Sequence, residues 1–301
     1  MKYEILCLFN VLLNVIIGII YKSININIFF INIFSSCLIF FSFLIKIYIN
    51  YIQNPTYYKK EKNIGNNNPL SNLLSKEAFI IGLSGSVSFL ISLFVLKNIP
   101  FSLFIPISNL WIFFSLFFEY LILNIASNFY TIVSFIIFVF GILIFSNTFM
   151  TSIKYKKEHN FYLILLLLSC IIRGFHITYV KKQSEYFKED ELLLMDFFIS
   201  FIVSIFVYIG YIFLNKNTKL PTLINLVILI LVTLILDNLK NYLKFISISN
   251  LSEEIYILLY NTSIIFSMIF GYLIFNEKIT KNKIMGIIIM LISIYIYIKN
   301  N

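Results

Sequence analysis

The chain has 301 residues, of which 60% are hydrophobic and 12% charged, with a formal net charge of +9. A soluble domain is roughly 45–50% apolar, whereas a membrane-crossing helix takes about 20 apolar residues. This stock supplies about nine or ten spans and leaves almost nothing for a soluble domain. The composition therefore gives an integral, multi-pass membrane protein. Its lysines sit mostly between apolar runs, where they meet lipid headgroups rather than nucleic acid.

The N-terminus, Met1-Lys2-Tyr3-Glu4, enters an apolar run with no small-residue cleavage site, which reads as a retained first span over 4–21. Further runs place spans at 27–50, 78–97, 101–123, 128–148, 161–180, 192–214, 221–243, 252–275 and 282–298. Ten helices are expected, because backbone in hydrocarbon must satisfy its own hydrogen bonds. Runs such as Phe161–Ile172 lack the alternation of a transmembrane strand. One connection is long, Ile52 to Glu77; its Lys59, Lys60 and Lys62 and the run Asn66-Asn67-Asn68-Pro69 read as a solvated loop. Cys7, Cys37 and Cys170 lie inside apolar runs, without metal-ligand spacing, and read as small packing residues. The lysines divide almost evenly between the two sides, a weak preference for a cytosolic N-terminus.

Sliding the chain on itself by 152 positions aligns residues 98–145 with 250–297 without a gap. Asn98/Asn250, Asn109/Asn261, Ser115/Ser267 and Tyr120/Tyr272 coincide, and the block from Phe118 to Asn124 matches that from Phe270 to Asn276. Ile, Asn, Lys, Phe and Tyr share A/T-rich codons, which inflates the Ile and Phe matches; the Asn, Ser and Tyr coincidences weigh more. The chain divides into a first repeat over 1–150, carrying the polar loop 52–77, and a second over 151–301. Five spans per repeat forces opposite orientations across the bilayer. The expected fold is all-α, ten transmembrane helices in two inverted five-helix repeats, a plan typical of secondary transporters with substrate near the midplane.

Asn276-Glu277-Lys278-Ile279-Thr280, followed by Lys281 to Gly286 and an apolar tail to Tyr297, resembles the end of a repeat of the drug/metabolite transporter superfamily, EamA-like. In that pattern a Gly-Glu-x-Leu-Thr-like turn precedes a final helix with two glycines seven apart. Here Asn276 replaces the turn glycine and Ser293 the second helix glycine, while Ser134 and Gly141 mirror that departure in the first half. Ile125 stands where Glu277 would have its counterpart. The resemblance implies a ten-helix carrier of metabolites or drugs, with a site formed by spans 1, 3, 4, 6, 8 and 9. Read by itself, a spacing of seven puts two small residues on one face and lets helices approach closely. Those faces serve either internal packing or a homodimer. Thr280 and Ser127 are expected to cap spans 10 and 5, and Glu277 is assigned no substrate role.

Ionisable groups within spans are functional candidates by default. Arg173 and His176 share one face of span 6. Arg173, the deepest charge, either binds an anion or pairs with a carboxylate such as Glu119 or Asp237. His176 either carries a coupling proton or bonds a neighbour. Asp237 and Lys240 neutralise one another at i, i+3, or else Asp237 or Glu119 carries the proton or faces a cation. Lys240, Lys244 and Asp196 lie close enough to span ends to snorkel. Asn109 and Asn261 either face a central cavity or bond between helices. Pro106 is expected to kink span 4 and free a carbonyl toward that cavity.

The candidate substrate-binding set is thus Arg173, His176, Asn109, Asn261, Glu119 and Asp237, with no catalytic residue, metal or cofactor. The expected partners are a small-molecule substrate and the bilayer, with no nucleic acid. The expected function is secondary-active transport of a small metabolite or drug by alternating access, open to proton coupling, the deep Arg173 favouring an anionic or zwitterionic substrate. The rivals are a membrane scaffold, a channel, and an embedded enzyme. An enzyme needs clustered carboxylates, histidines or cysteines at a membrane edge, and neither His159 nor His176 has such company.

Overall fold

The computed structural model describes residues 2–53, 69–125, 129–152, 157–214, 221–251 and 253–300, and no strand occurs among them. The first three spans are α1 Lys2–Ser23, α2 Ile28–Gln53 and α3 Lys76–Asn98. The fourth is broken into α4 Phe101–Ser108 and α5 Trp111–Leu123. Then come α6 Phe129–Ser152, α7 Lys157–Gln183 and α8 Glu189–Leu214. The eighth joins α9 Leu223–Leu231, a π-helical turn Val232–Asp237, and α10 Asn238–Asn250; α11 Glu253–Phe275 and α12 Lys281–Asn300 complete the chain. Ten helical segments thus stand where ten apolar runs were read. Seven are long and apolar enough to cross a membrane by length and composition, and Phe129–Phe145 and Leu259–Phe275 are shorter apolar stretches. Most of the loop after α2, Ser127 and the side chain of His159 lie outside the described residues.

The helices run past the apolar segments because polar residues suit their ends. Glu189, Asp190 and Glu191 fill the first turn of α8, where carboxylates complement the helix dipole. Ser75 caps α3 by accepting from the Ala78 N–H at 3.1 Å, and Thr280 accepts from the Lys283 N–H at 3.4 Å to cap α12. Asn124 and Asn276 end α5 and α11 at φ 55° and 52°, the non-glycine residues of positive φ among those described. Asparagine enters that region more readily than other side chains, so Asn276 does the work of the turn glycine. The same bond follows both turns, Ile125 N–H to Glu119 O at 3.4 Å and Glu277 N–H to Gly271 O at 3.0 Å.

α1 packs on α10 and α11, α2 on α8, α3 on α7 and α8, α4 on α11, and α5 on α7. α6 lies antiparallel against α12 through their small faces: Ser134 Oγ donates to Ser293 O at 2.8 Å, and Ser293 Oγ returns the bond to Ser134 O at 2.6 Å. Gly141 faces Gly286 seven residues further along, so the small faces are used within the chain. Phe129, Ile132, Ile136, Phe140 and Leu143 stay exposed on the opposite side of α6, as acyl chains require of a lipid-facing stripe.

The break in span 4 follows Pro106, which lies inside α4. Ser108, just after the proline, lines the cavity described below, and the Cys170 thiol reaches the carbonyls of Ile107 and Ser108, at 3.4 Å each. Pro100 gives α4 no side-chain cap. Glu277 supplies one from the other half of the chain, accepting from the Phe101 N–H at 2.7 Å and the Ser102 N–H at 3.1 Å, and from the Ser102 hydroxyl. Lys283 donates to Ser102 Oγ at 2.9 Å. Glu277→Ala leaves those N–H groups without their acceptor and is expected to cost about 2–3 kcal/mol, given that bonds to charged groups contribute roughly 1.5–3 kcal/mol each. Thermal unfolding in detergent checks this, with Glu277→Gln keeping part of the loss; an unchanged midpoint in both refutes it.

A polar cavity as the candidate functional site

Polar side chains in an apolar bundle must find partners, and many of them here converge on one cavity. It encloses about 200 Å³ between α1, α2, α3, α4, α7, α8, α10 and α11. Spans 2 and 7, through α2 and α8, therefore join the helices that the resemblance implied. Asn10 and Asn14 of α1 stand one turn apart, and α3 contributes Ser86, Ser88 and Ser92 with Gly85 between α7 and α8.

Of the six candidate residues, Arg173, His176 and Asp237 line this cavity. Arg173 donates to the Tyr260 hydroxyl at 2.7 Å. Its guanidinium lies 5.0 Å from the Trp111 ring centre and 5.8 Å from that of Tyr260, and the two rings meet edge to face. Neither proposed carboxylate is its partner. Glu119 pairs with Lys181 at 2.7 Å, on the far part of α7, and is not among the lining residues. Asp237 pairs with Lys240 at 2.6 Å and accepts a hydrogen bond from Tyr21. The π-helical turn that ends at Asp237 places this carboxylate against the cavity, a deformation that recurs at functional sites.

Asn109 and Asn261 are buried and bond each other, Asn109 Nδ2 to Asn261 Oδ1 at 3.2 Å, with Ser263 Oγ also accepting at 3.0 Å. They are not among the lining residues. Asp196, Lys240 and Lys244 correct the snorkelling expectation: all three line the cavity, and Asp196 is buried. The reason is the packing of α8 against α2 and α3 and of α10 against α1 and α8, which closes off the route to the headgroups.

Tyr260 is the residue that sequence reasoning missed most clearly. Its oxygen accepts from Arg173 and from Asn14 Nδ2, at 3.2 Å, so the hydroxyl proton remains to be donated. Three further groups on the wall, Asn10 Oδ1, Asn32 Oδ1 and Ser86 Oγ, are buried without a hydrogen-bond partner. Paired asparagines at i, i+4 in the first apolar run were the visible signal for this wall. Buried polar atoms are normally satisfied, so these groups leave hydrogen-bonding capacity open on the cavity wall. Counting charges, Arg173, Lys240 and Lys244 face Asp196 and Asp237, an excess of one positive charge with His176 neutral. Among the described residues no cluster of three or more His, Cys, Asp or Glu is placed to hold a metal ion.

Residues 160–299 match the model of the EamA-like transporter family, which lies within the drug/metabolite transporter superfamily. The curated proteins contain no match. Fourteen chains of solved structure match. One, a crystal structure of a protein, superposes with a TM-score of 0.67 at 10% identity, over 98% of this chain and 98% of its own, a likeness of fold alone.

Proposed function

From a multi-pass membrane chain whose residues 160–299 belong to the EamA-like transporter family, we propose a secondary-active carrier that moves a small anionic or zwitterionic metabolite by alternating access. The two five-helix halves, related as inverted repeats, rearrange around the polar cavity. The match to a transporter family favours transport over an enzyme. The contacts support the repeat, since exchanging the halves maps α1 on α11 onto α7 on α5, and α3 on α8 onto the eighth span on α2. The bonded pair Asn109–Asn261, 152 positions apart, fits a pseudo-two-fold axis between those residues.

The single observation that carries the substrate class is Arg173, held over Trp111 and Tyr260 with its head group on the cavity wall and no carboxylate partner among the described residues. The unpaired hydroxyl and amide groups add the recognition of a polar body. The test is a thermal-shift panel on the purified protein: phosphorylated metabolites, nucleotide sugars, amino acids, nucleosides and cationic drugs. A ligand that binds only the folded state stabilises it by about 2.7 kcal/mol at a hundredfold excess over Kd. The expected hit carries an acidic group and is then taken up by proteoliposomes. A panel in which only cations stabilise refutes the substrate class, and hits that are bound but never transported refute the carrier.

A further inference from the structure

His176 is buried on α7 with Nδ1 3.1 Å from the Ile81 carbonyl oxygen and 3.3 Å from Ser84 Oγ. A carbonyl only accepts, so Nδ1 carries the hydrogen; the Ser84 hydroxyl directs its own proton to Ile80 O or Ile81 O and accepts alongside. A neutral ring in this tautomer presents a bare lone pair at Nε2. That nitrogen lies 3.6 Å from Asp196 Oδ2. Two lone pairs facing each other repel, and one proton between them turns the repulsion into a charge-assisted hydrogen bond. The remaining oxygen, Asp196 Oδ1, is approached by Ser200 Oγ at 3.5 Å.

The meeting depends on α3 carrying a glycine at that level. A Cβ on Gly85 would stand 2.5 Å from Asp196 Oδ1 and 3.1 Å from His176 Cε1. Gly85, His176 and Asp196 all line the cavity, so the pair has a route to protons. The charged and titratable groups around it are Lys244 on α10, which interacts with both members, and Arg173 one turn away on α7. Asp237, at the end of the π-helical turn, pairs with Lys240 of α10 and is joined to Tyr21 of α1, and Tyr260 approaches from α11. Where α2 and α3 line the cavity, their polar groups are hydroxyls and amides.

We propose that His176 and Asp196 form the coupling-proton site of this carrier, a single proton lodging between Nε2 and Oδ2; the assignment rests on the transport reading above. The proton arrives from the cavity and leaves to the opposite compartment when the halves rearrange, restoring carboxylate and neutral imidazole. Loading adds one positive charge beside Arg173, so proton and anion promote each other's binding, and linkage makes the effect reciprocal. The carrier is therefore a proton symporter for its anionic substrate, binding it about tenfold more tightly with the proton in place.

The test needs no ligand. The chain has two histidines, so His159→Gln leaves His176 as the one imidazole signal in protein labelled with nitrogen-15 histidine and held in nanodiscs. The expected spectrum shows Nδ1–H with bare Nε2 at alkaline pH, and protonation of Nε2 on acidification. Asp196→Asn is expected to require at least about tenfold more acid for that step, and Asp190→Asn, in the first turn of α8 and not on the cavity wall, to leave it in place. An Nε2–H tautomer in the parent overturns the assignment without any variant at Asp196, and so does a titration indifferent to Asp196→Asn. A transported ligand from the panel with an unresponsive ring defeats the proton site alone. The expected ring behaviour with no transported ligand supports the site and tells against the carrier.

Discussion

Arg173→Ala is expected to abolish ligand-dependent stabilisation and uptake while the helices stay folded. The guanidinium is held by a hydroxyl and two aromatic faces, with no buried carboxylate left stranded when it goes. Its removal deletes the charge-assisted bonds to an anionic group, each about 1.5–3 kcal/mol, which is about ten- to over a hundredfold in Kd. Arg173→Lys restores only part of this, because an ammonium lacks the planar fork that stacks on Trp111 while reaching Tyr260. The measurement is the ligand concentration needed to shift the melting midpoint, read beside uptake into proteoliposomes. Uptake equal to the parent in the alanine variant removes Arg173 from the site.

The largest structural effect is expected at the crossing of α6 and α12. A Cβ on Gly286 would sit 2.6 Å from Phe145 Cβ, 2.7 Å from Gly141 O and 2.8 Å from Phe145 N. Two of those neighbours are backbone atoms, which cannot turn aside as a flexible side chain does. Overpacking by a single methyl costs about 1–3 kcal/mol in a tight core, and valine adds branches that force the helices apart and break the reciprocal Ser134–Ser293 bonds. Gly286→Val is therefore expected to lose the monodisperse peak in detergent chromatography, and Gly286→Ala to keep it at a lower midpoint. Gly210 is the control: no atom lies within 4 Å of its added Cβ, so Gly210→Ala is tolerated. A Gly286→Val protein that melts with the parent refutes the close-contact account.

The membrane class and the ten helical segments were legible because both follow from local composition. An apolar run of about 20 residues has few alternatives in hydrocarbon, and Asn276 before Glu277 reads as a turn with or without its neighbours. The EamA-like ending at Thr280 to Gly286 is similarly local, and the family match covers that region. The site was legible only in part. Arg173, His176 and Asp237 stand out as charges in apolar runs, and all three reach the cavity.

What one run of sequence lacks is its neighbours. Asp196 and Lys244 lie near the ends of their runs and looked free to reach headgroups, until α2 and α3 closed over the first and α1 and α8 over the second. Glu119 looked as deep as Asp237, yet only Asp237 sits on a π-helical turn that faces it inward. Asn109 and Asn261 show their partner only when two helices 152 positions apart are brought together. Tyr260 reads as one aromatic among many until Arg173 and Asn14 both donate to it. The sequence alone determined the solvent of this protein and the order of its ten helical segments, because hydrocarbon acts on each segment separately. Tertiary structure decided which polar groups meet, because a buried hydrogen bond belongs to two segments and is written in neither.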